Sequence, residues 1–120
     1  MNGNREGIMT EDAAARVAAR LRELWSTSRP TVLERMRVLD SACASLDENP
    51  GDAEARSSGR EAAHKLSGVL GVFGMPQGSE IASTIEFLLK SDEPLTGDDL
   101  TRLREWVGAL DSVIASKSDD

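Results

Sequence analysis

Residues 53–74 read AEARSSGREAAHKLSGVLGVFG, and the phase of this stretch decides the fold. At about 100° per residue, with His64 as the origin, Ala55, Ala62, Leu66, Val69 and Phe73 gather opposite the imidazole as an apolar face at helical spacing. Ser57, Arg60, Glu61, Ser67, Gly68 and Gly71 fall within roughly 60° of His64, on a face that is polar or stripped of side chains. The spacing therefore predicts a helix whose inner face is core and whose outer face carries the single histidine of the chain. Asp52 is placed to cap its start, and Gly74, free to adopt positive φ, to close its end. Each glycine inside a helix costs about 0.8–1.0 kcal/mol relative to alanine, so Gly68 and Gly71 weaken this helix unless something uses the space they clear. A bare strip beginning one turn after His64 lets another protein lie close to the imidazole. Gly59 falls on the core side instead, where a close helix crossing explains it.

Working outward, apolar residues recur at helical spacing on both sides and no segment alternates with period two, so the fold class is all-α. Upstream, Thr10 is placed to cap a first helix running to about Ser26, with Val17, Leu21, Leu24 and Trp25 on one face, and TSRPT interrupts it. A second helix then starts near Pro30 with the stripe Val32, Met36, Leu39, Cys43 and Leu46. Downstream, PQGSEIASTIEFLLK turns Ile81, Ala82, Ile85, Leu88 and Leu89 inward, and a last helix after Thr96 does the same with Leu100, Leu103, Val107, Leu110 and Ile114. Short links favour antiparallel neighbours. The expectation is an antiparallel up-down-up-down four-helix bundle with an additional N-terminal helix, one domain over residues 1–120, with disordered tails at about 1–9 and 116–120.

Composition narrows the function. Fourteen basic against twenty-one acidic residues give a net charge of -7, which repels a phosphate backbone, and scarce aromatics offer no stacking platform, so no nucleic-acid partner is expected. Without an apolar run of spanning length or a signal-peptide core, the chain reads as cytoplasmic with no membrane partner. One cysteine and one histidine make a poor set of metal ligands, and no cofactor of its own is expected. Trp25 and Trp106 read as core anchors and Cys43 as a buried thiol, so the chain is expected to be a monomer.

An exposed imidazole, largely neutral at pH 7, is a nucleophile that can accept a phosphoryl group. Phosphoryl transfer depends on positioning and electrostatics, and a partner can supply the metal and the remaining groups. Arg56, Arg60 and Lys65 lie on or beside the histidine face and lend it local positive charge, while Glu61 serves equally well as a solvated surface group. Arg56, Ser57, Arg60, Glu61, Gly68 and Gly71 are thus the candidate partner-docking residues. No glycine loop for nucleotide phosphates is present, so no autonomous kinase activity is expected.

AHKLSGVLGVFG, residues 63–74, followed by GSEIASTIE, residues 78–86, resembles the signature of histidine phosphotransfer domains, whose motif runs A-H-x-L-K-G, a further glycine, then L-A-x-x-L-E. Ala63, His64, Leu66, Gly68 and Gly74 match in place, and Ile81, Ala82, Ile85 and Glu86 follow the next helix's pattern. The resemblance covers roughly residues 52–90. It implies a four-helix bundle in which His64 is the phosphoacceptor, taking phosphate from a receiver-domain aspartate or a hybrid histidine kinase and passing it to another response regulator. Mg²⁺ would then reside in the partner receiver domain. The family's lysine three residues after the histidine, thought to steady the phosphoryl group, is Ser67 here, with a lysine instead at Lys65. Lys65 and Ser67 are therefore the candidate phosphoryl contacts. The same departure keeps a second reading open, a module that docks and sequesters a receiver without transfer, and a third in which the histidine is a plain surface residue.

Overall fold

The computed structural model describes the backbone of residues 2–117 and the side chains of residues 11–117. It contains four helices, α1 (Asn2–Glu48), α2 (Ala53–Val72), α3 (Pro76–Lys90) and α4 (Gly97–Ser116), and no strand among the described residues. Sequence neighbours pack together and α1 closes the ring against α4, the arrangement of an up-down-up-down bundle. The tails expected at 1–9 and 116–120 fall largely outside the described side chains.

Three helix ends form where local chemistry places them. Asp52 Oδ1 accepts from the Ala55 backbone N–H at 3.0 Å. Thr96 and Asp99 satisfy one another reciprocally, the Thr96 hydroxyl accepting from Asp99 N at 3.1 Å and the Asp99 carboxylate from Thr96 N at 2.9 Å. At the end of α2, Gly74 adopts φ 72°, Met75 N–H donates to Leu70 C=O at 2.9 Å and Gly74 N–H to Gly71 C=O at 3.4 Å. That left-handed step satisfies the terminal carbonyls and turns the chain into α3, where Pro76 needs no helical donor.

The expected break at TSRPT does not occur: α1 runs through Pro30, so the additional N-terminal helix and the first bundle helix are one. An interior proline sacrifices a hydrogen bond and costs about 3 kcal/mol. Packing offsets it, because Trp25, Val32, Leu39 and Leu46 recur every seven residues across the proline and each is at most 1% exposed. Breaking the helix would throw Trp25 out of phase with the stripe it shares. Trp25 closes one end of the core, its ring edge-on to Phe73 with centroids 5.3 Å apart.

A second expectation also fails. Of the first helix's apolar face only Trp25 is buried, whereas Val17 is 58%, Leu21 37% and Leu24 38% exposed. The bundle ends at the Trp25–Phe73 level, and α1 continues beyond it, giving a molecule 66 Å long and 24 Å across. Elsewhere Ala62, Leu66, Ala82, Ile85, Leu103 and Leu110 are buried together as expected, Leu70 joins them, and Val69, Ile81, Leu88, Leu100 and Trp106 pack against this core half-buried. Gly59 lies at a close crossing: a β-carbon there would sit 3.0 Å from a Leu89 methyl and 3.2 Å from the Ala42 methyl. No helix among the described residues is long and apolar enough to cross a membrane.

Candidate functional site

The helical phase that buries Leu66 and Leu70 leaves the His64 side chain 71% exposed on α2. Its Nδ1 lies 2.9 Å from Glu86 Oε2 on α3. An ionised carboxylate can only accept a hydrogen bond, so a neutral ring held this way carries its proton on Nδ1 and presents the Nε2 lone pair outward. The contact fixes tautomer and ring orientation together. Glu86 is itself half-buried, which limits the directions its carboxylate can take.

Three residues on, the packing turns to hydroxyls. Ser67 Oγ lies 2.6 Å from Ser83 Oγ, and Ser79 Oγ donates to the Ser67 carbonyl at 2.7 Å. Ser79, Ser83 and Glu86 share one face of α3 by their spacing, and that face meets the His64–Ser67 edge of α2. Position 67 is thus a small hydroxyl anchored to α3.

Lys65 goes the other way. Its Nζ pairs with Glu61 Oε1 at 2.9 Å, and the pair lines a shallow groove toward α1 with Arg35, Val38 and Ser58. The hydrogen bond and charge of Lys65 hold the Glu61 carboxyl below its ordinary range. The structure therefore joins Lys65 to Glu61 and Ser67 to Ser83, and hydrogen-bonds neither of them to the imidazole.

The docking candidates divide as well. Ser57 and Arg60 are exposed on α2. Arg56 is tied down, its Nε donating to the Leu89 carbonyl at 3.0 Å and its Nη2 to the Ser91 carbonyl, so it serves the C-terminal end of α3. A β-carbon at Gly68 would meet nothing within 4 Å, and at Gly71 only the Ser79 side chain at 3.5 Å, ordinary contact. Among the described residues nothing requires glycine at either position, so the strip beside His64 is bare.

The sequence reading did not single out Glu86 as the partner of the histidine ring, the Ser79 and Ser83 hydroxyls, or Phe87, which stands 79% exposed next to Glu86 on α3. The serines and Glu86 are at offsets of four and three on α3, a pattern visible once α2 and α3 are known to pair antiparallel. Nothing in local spacing marks Phe87. A groove of about 520 Å³ between α1 and α2, lined by Glu34, Arg37, Ser41 and Ser58, lies apart from His64. His64 lies on an open surface.

Comparison with known proteins agrees with this geometry. The Hpt domain family matches residues 23–113. Protein RcaC of Microchaete diplosiphon is 28% identical over 103 residues, a match covering 86% of this chain and 16% of RcaC. The chain thus spans about a sixth of that relative's length. No solved structure matches the chain significantly.

Proposed function

The chain belongs to the Hpt domain family, the histidine phosphotransfer modules of phosphorelays, and from that membership we propose that His64 both accepts and returns a phosphoryl group. The observation that carries the proposal is the Nδ1–Glu86 contact on an otherwise exposed ring. In the forward step the Nε2 lone pair attacks phosphorus of an aspartyl phosphate in a receiver domain. An N–P bond forms, the P–O bond breaks, and the receiver's aspartate leaves as a free carboxylate. The ring gains positive charge as this happens, and the carboxylate at Nδ1 stabilises it. Transfer onward reverses each step with a second receiver. The receiver brings Mg²⁺ and its own acidic residues, so this chain supplies a nucleophile, its orientation and a surface on which to dock.

Gly68 and Gly71 form the docking strip, with Ser57, Arg60 and exposed Phe87 around it. The Ser67 and Ser83 hydroxyls supply the phosphoryl contacts on the α3 side. Lys65 contributes only on leaving Glu61. Incubating the chain with a phosphorylated receiver tests the proposal: acid-labile label should move to wild type and not to His64→Gln.

The lack of a cation at position 67 favours a second reading, docking and sequestration without transfer. Under that reading His64→Ala keeps receiver binding and signalling while Gly68→Gln removes both. Stable receiver binding by wild type, with no acid-labile phosphate from any receiver of the source organism, would select it.

A further inference from the structure

We propose that the receiver-docking surface continues past Gly71, across the α1–α2 seam, onto the part of α1 beyond the bundle, where an apolar patch of Leu21, Leu24 and Val72 receives an apolar side chain of the docked receiver domain. This rests on the reading of Gly68 and Gly71 as the docking strip. Helical phase puts the pieces on one side of the molecule. Along α1, with Trp25 as origin, Arg35 and Val38 of the groove toward α2 lie about 80° and 140° to one side, and Asp47, bonded to Arg104 of α4, about 40° to the other. Leu21, Leu24 and Val17 fall about 40°, 100° and 80° to the α2 side, and all three are exposed. On α2, Val72 is 64% exposed and lies about 80° from His64 toward Lys65, on the flank that faces α1. The two flanks meet at a cavity of about 410 Å³ walled by Ala18, Leu21, Trp25, Val72 and Phe73, with Gly71 in its wall as well. Gly71 thus belongs to the strip and to the cavity, and a partner lying along the one reaches the mouth of the other.

Reach and charge choose the occupant. A standard interface buries about 800 Å² on each partner, so a footprint centred on His64 extends roughly 16 Å each way, and Val72 stands about 12 Å along α2. A receiver must bring its aspartate to Nε2, and its footprint takes in the cavity mouth; a second copy or a lipid surface has no reason to touch His64 and Leu21 together. Among the described residues the charged groups lining the cavity are Arg22 and Lys117, both basic, in a chain of net charge -7. They suit a carboxylate beside the apolar side chain, whereas a second copy brings the same net negative charge. The other end of this flank offers no such place. Val38 is as exposed as Leu21, 39% against 37%, but its neighbours in the groove include Arg35, Glu61 and Lys65.

Titrating the full chain with the receiver domains of the source organism tests the surface by binding, and phosphoramidate, a small phosphoryl donor that needs no docking surface, tests the histidine separately. Leu21→Glu and Val72→Glu should each weaken receiver binding roughly tenfold, the loss of an apolar anchor, while Val38→Glu should stay within about twofold of wild type. The half-saturating receiver concentration should rise and the transfer rate at saturation should not change. Melting of the bundle and labelling by phosphoramidate should be the same in all three variants. Equal receiver binding by wild type and Leu21→Glu, a loss in Val38→Glu as large as in Leu21→Glu, or a chain that no receiver binds would overturn the extended surface, even where phosphoramidate labels His64. So would self-association or vesicle binding as the property lost in Leu21→Glu in place of receiver binding. A receiver that binds wild type and loses affinity in Leu21→Glu, with no label on His64 from either donor, would uphold the surface and overturn the phosphotransfer reading.

Discussion

The two flanks of His64 differ in kind although they lie side by side on one helix. Toward α3 the site is fixed: Glu86 holds Nδ1, and Ser67 is anchored to Ser83. Toward α1 it is loose, with Lys65 and Glu61 paired in solvent over a shallow groove. Lys65 is adjacent to the histidine in sequence, yet about 100° of helical rotation sends it to the other flank. Glu86 is twenty-two residues away and touches the ring. The surroundings of this histidine are set across the α2–α3 seam.

The comparison can be broken most severely on the docking strip. Gly68→Gln fills space that is empty within this chain and should cut receiver binding more than tenfold. The same change should raise thermal stability, since relief of an interior glycine is worth up to about 1 kcal/mol. Binding and melting measured on one preparation separate the two effects. Next comes the fixed flank: Glu86→Ala should slow phosphotransfer roughly tenfold to a hundredfold, by analogy with the cost of losing the partner that orients a metal-ligating histidine. Glu86→Gln, which can still accept from Nδ1–H, should fall between. Ser67→Lys should lengthen the phosphohistidine half-life a few-fold, by placing a cation where the Ser67–Ser83 pair now sits. On the loose flank Lys65→Ala should leave transfer within about twofold, as an exposed pair contributes little. A large loss there would erase the contrast.

The α1–α4 seam repeats the contrast on a smaller scale. Asp47 is met by Arg104 through two hydrogen bonds of 3.1 and 3.2 Å. Asp40 instead faces Asp111, and burial together with that second carboxylate pushes its pKa up to about 6. The folded state therefore binds this proton more tightly than the unfolded chain, and the pair's contribution to stability declines as pH rises from about 4 through 6. Asp111→Asn should raise stability at pH 8 by a few tenths of a kcal/mol after solvent screening, with the gain gone near pH 4. Melting curves at the two pH values check it.

Much of this was legible in the residues. Caps at Asp52 and Thr96, the glycine stop at Gly74 and the outward phase of His64 all depend on neighbours within a turn or two. The break expected before Pro30 failed because local signals, serines and a proline, were outweighed by packing that recurs across them at Trp25 and Val32. The burial expected of Val17, Leu21 and Leu24 failed for a related reason: amphipathic spacing tells which face is apolar, not whether anything lies opposite. The role of Glu86 was hidden because it is a fact about two helices. Its identity fitted the motif, but its contact with Nδ1 exists only once α3 is laid antiparallel on α2.

That contact makes the most direct claim, that Nδ1 is occupied and Nε2 is the acceptor. Phosphorylating the chain through a receiver and recording its phosphorus resonance under non-acidic conditions distinguishes the two ring nitrogens. The account predicts phosphohistidine bonded through Nε2 of His64, absent from His64→Gln. Phosphate bonded through Nδ1, or no phosphohistidine from any receiver that binds, would contradict it.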